Sequence, residues 1–265
     1  PEIQDHARIV LNQLVFHVAL NSWRGLVGAS QGRAYLRDQI NPAGTPMSVL
    51  AQLCWGEDDL PATLSLAALL LAASDIALDP AVLAVGRAQP LAMENRERHG
   101  LDAEDAASHG VDPERLEDYP FFAASGQSDH HLVADIRHRY FGGREKWPGF
   151  FYARDYYARC RANGVVFDPH ALPHAMGQAD LYTYRTPDYM LGCAQDYRPG
   201  KPGYQQFIWS ATLGPKAVVF TTNPAPAKVP YGRPGPWVGN GILPKVVQYR
   251  SVLLCLHRVR PYPIY

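Results

Sequence analysis

Residues 178–259 decide the fold: QADLYTYRTPDYMLGCAQDYRPGKPGYQQFIWSATLGPKAVVFTTNPAPAKVPYGRPGPWVGNGILPKVVQYRSVLLCLHRV. Tyr, Trp, Val, Ile and Thr crowd into this stretch, and clusters of Pro and Gly cut it into runs of strand length. Tyr182, Tyr184, Tyr189, Tyr197, Trp209 and Trp237 stand beside Arg185, Asp188, Asp196, Arg198 and Arg233. An aromatic surface interleaved with charges suits a sugar chain. Rings stack on the apolar faces of pyranoses, and the charges meet hydroxyls and carboxylates.

Upstream of this stretch the pattern is helical. Residues 5–23, DHARIVLNQLVFHVALNSW, carry apolar side chains around almost the whole circumference, which predicts a helix buried on most sides. The Gly-punctuated segment NSWRGLVGASQGRAY (21–35) follows as a loop, and its bulky polar groups Asn21, Arg24 and Arg33 suggest a cleft wall. Residues 47–55 predict a short helix. Asp59 and Pro61 then signal a helix start, and Asp79 and Pro80 signal another over 81–89. Residues 93–118 are charged and poor in large apolar side chains, and read as a surface excursion with short helices. Two more helices are predicted, one opening at Ser128 and ending at Gly142–Gly143, the other over 147–163. Helices followed by strands indicate an α+β fold rather than alternating βαβ units. The expected division is a helical domain over 1–165 and an antiparallel β-sheet or sandwich domain over 166–265.

The chain has 265 residues, 47% hydrophobic, enough for a large core. Its 25 basic and 25 acidic side chains leave no net positive field, which argues against a general nucleic-acid binder. No run reaches the roughly 18 apolar residues of a membrane span. The chain opens at Pro1 without Met, which points to a missing N-terminal region, and the compartment stays open. Cys54, Cys160, Cys193 and Cys255 form no CxxC pair; they read as buried thiols, with one disulfide as the alternative.

Several constellations bear on chemistry. His131, Asp135 and His138 share one helical stripe at a spacing that can hold zinc, but the stripe lies opposite Leu132, Ile136 and Tyr140 and so faces water. No catalytic metal and no cofactor are therefore expected. The patterns HExxH, GxGxxG, GxxxxGK[ST] and GxSxG are absent, which lowers the case for the enzyme classes they mark. The set His174, Tyr184, Arg185 and Tyr189 is more suggestive. A phenol ordinarily titrates near 10, and a neighbouring guanidinium favours its ionised form. Such a Tyr can remove a proton next to a carboxylate while Arg, Asn or His holds the developing charge. That is the chemistry of uronate β-elimination. A pair of carboxylates among Asp180, Asp188, Asp196 and Glu57–Asp59 would serve a glycoside hydrolase instead. A non-catalytic glycan-binding module is the third reading. In RPGPWVGNG (233–241), Trp237 and Asn240 stand on a Pro/Gly-stiffened loop suited to a binding platform.

YRTPDYMLGCAQDYRPGKPGYQQFIWSATLG and RPGPWVGNGILPKVVQYRSVLLCLHRV, together with NSWRGLVGASQGRAY, resemble segments of (α/α) toroid plus β-sandwich proteins of the heparinase II/III-like polysaccharide lyase type, in particular uncharacterised bacterial members. The resemblance covers about half of the chain. It implies an N-terminal toroid-like part followed by a sandwich, and cleavage of an acidic polysaccharide by β-elimination with a Tyr or His base. The residues available for such a site are Tyr184, Tyr189, His174 and Arg185 as catalytic groups. Asn21, Arg24, Arg33, Trp237 and Asn240 would bind the polysaccharide or oligosaccharide substrate. A full toroid needs about twice the helices present, so the toroid is expected to be incomplete, or completed by a missing N-terminal region or a second chain. A secreted or periplasmic location would fit such a substrate.

Overall fold

The computed structural model describes residues 2–32, 39–56, 66–112, 160–166, 177–203, 206–222 and 241–258, with positions 34, 115, 118 and 158 besides. The first helix, α1 (Glu2–Leu20), is buried only at Val15, Val18 and Ala19. Ile3, Ile9, Val10 and Leu14 are exposed, Ile3 to 85%. The expectation of a helix buried on most sides is corrected: the rest of the helical core meets α1 only along a stripe of its C-terminal half. The helix also ends three residues early. Ser22–Trp23 (β1) and Leu26–Val27 (β2) form a hairpin in place of the expected loop. Arg24 and Gly25 join the two strands with φ of 51° and 78°. Positive φ at both positions of a two-residue turn matches the twist of the strands it joins. Arg-Gly lacks the Asn-Gly or Asp-Gly signal by which such hairpins are read in sequence.

Helix α2 (Pro46–Trp55) is capped by Thr45, whose hydroxyl accepts from the Ser48 amide at 3.2 Å. Helix α3 (Leu66–Ala72) follows. Helix α4 (Pro80–Arg87) starts as its sequence signals. Asp79 accepts from the Ala81 amide at 2.8 Å and Pro80 fills the first turn, where no donor is needed. Val15, Val18, Ala19, Leu50, Ala51, Trp55 and Val82 close the helical core. Gly86 lies so close against the Trp55 ring that a Cβ there would collide with it.

The main sheet has five antiparallel strands in the order β3-β4-β5-β7-β8: Met93–His99 (β3), Ala179–Arg185 (β4), Met190–Gln195 (β5), Trp209–Gly214 (β7) and Ala217–Val219 (β8). Pro202–Gly203 (β6) pairs with Gly241–Ile242 (β9), and Lys245–Tyr249 (β10) with Val252–Leu256 (β11). Strand β3 is a second correction, because it lies in the stretch expected to be a surface excursion with short helices. Its sequence MENRERH shows no apolar alternation. It is an edge strand held by what stands opposite: Arg98 pairs with Asp180 at 2.8 Å, and the Arg96 guanidinium lies 5.0 Å from the Tyr182 ring centre.

The fold is therefore mixed α+β around an antiparallel sheet; the described helices do not show an (α/α) toroid. One face of the sheet meets α1 and the segment 21–31. There Trp23 and Leu26 pack on Met190, the Ser210 hydroxyl donates to the Gly28 carbonyl at 2.6 Å, and Gln31 pairs with Phe207 through the backbone. A side chain at position 28 would run into Thr212 and Met190, which is why Gly stands there. The other face meets β10 and β11, with Tyr182, Cys193, Ala194, Tyr197, Ile208, Leu243 and Val246 as its core. All four cysteines are free, and burial pushes the Cys193 thiol up to about 12 and the Cys54 thiol to about 11. The helices predicted from Ser128 and over most of 147–163 lie outside the described residues. No described helix is long and apolar enough to cross a membrane.

Candidate functional site

Two polar clusters occupy opposite faces of the β3–β4 pair. Side chains alternate along a strand, so Tyr182 and Tyr184 point away from the face that carries Thr183 and Arg185. This separation governs what the predicted residues can do together.

On the helix-facing side, Glu97 is the centre. Its side chain is only 8% exposed, while those of His17 and His99 are 47% and 41% exposed. His17 Nδ1 lies 2.6 Å from Glu97 Oε1, and His99 Nε2 lies 3.4 Å from Oε2. The Asn21 amide donates to Oε2 at 2.6 Å and to the His17 carbonyl at 2.9 Å. Thr183 donates to Asn21 Oδ1 at 2.6 Å and fixes that amide in place. Burial pushes the Glu97 carboxyl up, but the bonds from His17 and Asn21 more than offset it, and its titration moves below the usual carboxylate range. Asn95, on the same face of β3, keeps a buried amide nitrogen without a partner.

Arg185 shares this face but serves another purpose. It is 2% exposed, and its guanidinium donates to the carbonyls of Ala19 at 3.0 Å, Ser22 at 2.6 Å and Val85 at 2.9 Å. Ala19 and Val85 lie in the last turns of α1 and α4, where carbonyls lack intrahelical donors and the helix dipole is negative. Two helix ends thus take the place of a carboxylate counter-ion. Burial pulls the Arg185 titration below the usual arginine range.

On the other face, the Tyr184 and Tyr189 rings lie 6.3 Å apart, both half-buried. Glu94, the cross-strand partner of Tyr184, accepts from the Tyr182 hydroxyl at 2.6 Å and from Arg250 Nε at 2.9 Å. The hydrogen bond from Tyr182, then that from Arg250, holds the Glu94 carboxyl below its ordinary range. Arg250 sits in the β10–β11 turn with φ of 49°, and its backbone amide donates to the Tyr182 hydroxyl at 2.9 Å. The guanidinium groups on the tyrosine face are thus those of Arg250 and Arg96, not that of the adjacent Arg185. Sequence reasoning missed Arg250 because it is close only through the packing of the hairpin on the sheet. It also missed His17, Glu97 and His99, none of which stands in a recognisable ligand motif.

Of the remaining predicted residues, Arg24 lies over the Trp23 ring at 4.9 Å in the β1–β2 turn. His174, Arg33, Trp237 and Asn240 lie outside the described residues, as do His131, Asp135 and His138. No protein-family model matches the chain, and no curated protein or solved structure matches it either.

Proposed function

We propose that the chain is a carbohydrate-active enzyme that cleaves an acidic polysaccharide by β-elimination on the Tyr184–Tyr189 face. The observation that carries this reading is a pair of half-buried phenols, Tyr184 and Tyr189, on the sheet face where Arg250 is held on Glu94, the cross-strand partner of Tyr184. The guanidinium meets the uronate carboxylate, which makes the neighbouring C5 proton more acidic. One tyrosine oxygen, as phenolate, takes that proton. The electron pair forms the C4–C5 double bond, the C4–O bond breaks, and the departing oxygen takes a proton. The β-sandwich half of this reading is supported by the β10–β11 layer packed on the main sheet, whereas nothing among the described helices supports a toroid.

A glycoside hydrolase needs one carboxyl raised to act as acid. Glu94, Glu97 and Asp118 are all held below the ordinary carboxylate range, so none of these three suits that acid role. The test is a panel of uronate polymers followed by ultraviolet absorbance. Elimination leaves an unsaturated sugar that absorbs, and Tyr184→Phe or Tyr189→Phe should abolish the signal with folding kept. New reducing ends without absorbance would establish hydrolysis. Binding without product would leave a glycan-binding module.

A further inference from the structure

We propose that His17, Glu97 and His99 bind one divalent transition-metal ion of the zinc class. Their nearest ligand atoms all lie within 4.8 Å of one another. Around a tetrahedral zinc, with bonds of about 2.0–2.2 Å, ligand atoms stand roughly 3.3 Å apart. His17 Nδ1 lies 2.6 Å from Glu97 Oε1 and His99 Nε2 lies 3.4 Å from Oε2, so small side-chain rotations that bring one carboxylate oxygen between the two imidazoles admit the ion. Two imidazoles and one carboxylate suit zinc or cobalt(II), whereas magnesium and calcium prefer oxygen alone.

The supporting shell is present as well. Metal-bound carboxylates are oriented by hydrogen bonds from behind. Asn21 supplies that bond to Glu97 and is itself fixed by Thr183 and the His17 carbonyl. The carboxylate is nearly covered while both imidazoles are partly open, so an ion can enter from solvent. Three protein ligands leave a fourth position for water or an anionic group. His17 comes from α1 and the other two ligands from β3, so the ion would also tie the helix to the edge strand. The site stands apart from the Tyr184 face, and its success or failure is independent of the elimination reading.

The test uses the full chain, treated with chelator and then titrated with zinc chloride by calorimetry. Elemental analysis after desalting gives the stoichiometry. One ion per chain is expected, with cobalt(II) giving the visible d–d bands of a four-coordinate ion. His99→Gln should weaken binding by about 100-fold or more, and Asn21→Ala by about 10–100-fold. Circular dichroism of each variant keeps loss of binding separate from loss of fold, and His99→Gln changes a partly open ring at a strand end. No zinc uptake by the wild-type chain overturns the proposal. So does equal affinity in a folded His99→Gln variant, which would place the ion elsewhere.

Discussion

Replacing Arg185 by Met tests how the helices are joined to the sheet. Met keeps most of the volume and removes every donor. Three charge-assisted hydrogen bonds disappear, to Ala19, Ser22 and Val85. Each is worth about 1.5–3 kcal/mol. Against this, the variant no longer buries a guanidinium, whose desolvation costs several kcal/mol. Ala19 keeps a weaker donor, the Ser22 hydroxyl at 3.3 Å, while Val85 lies in the last turn of α4. Carbonyls left without this donor cost about 1–3 kcal/mol each, so the net loss is about 3–5 kcal/mol. For a chain of this size that lowers the melting temperature by roughly 6–20 °C. Urea unfolding followed by circular dichroism measures the loss. Arg185→Lys should recover only part of it, because one ammonium cannot reach three carbonyls set around a planar fork. A loss below about 1 kcal/mol for Arg185→Met would refute the view that this side chain ties the ends of α1 and α4 to β4.

Other substitutions probe separate links. Gly86→Ala should destabilise by about 1–2 kcal/mol despite the better helix propensity of Ala, because its methyl group meets the Trp55 ring; a stabilised variant would show that the ring yields freely. Asp79→Ala should cost about 1 kcal/mol through the lost cap on α4, read as a shift in the urea midpoint, whereas Asp79→Asn should cost much less. The Glu97 carboxyl titrates below its ordinary value of 4.5 in the folded chain, so its contribution is fully present above that pH. That contribution is lost as pH falls through the lowered folded value. The gap in urea midpoint between wild type and Glu97→Gln should therefore shrink on going from pH 7 to pH 3; a constant gap would mean that Glu97 is not held ionised by His17 and Asn21.

What depends on neighbours along the chain can be read from the residues in order. The Asp79–Pro80 start of α4 is legible because a cap and its acceptors lie within one turn. Strands β4, β5, β7, β10 and β11 are legible from β-branched and aromatic residues between Pro/Gly breaks, and so is the α+β character that follows. Strand β3 was hidden, because an edge strand of charged residues acquires its meaning only from Asp180 and Tyr182 opposite it. The reach of Arg185 could not be read either. Its number places it beside Tyr184, but strand alternation sends the two side chains to opposite faces. The polar clusters arise from packing between distant segments. His17 meets Glu97 across 80 residues, and Arg250 meets Glu94 across 156. Such pairs are set by strand register and by which face a helix lays on the sheet. Both depend on the burial of the whole apolar set at once, so no local pattern at either partner records them.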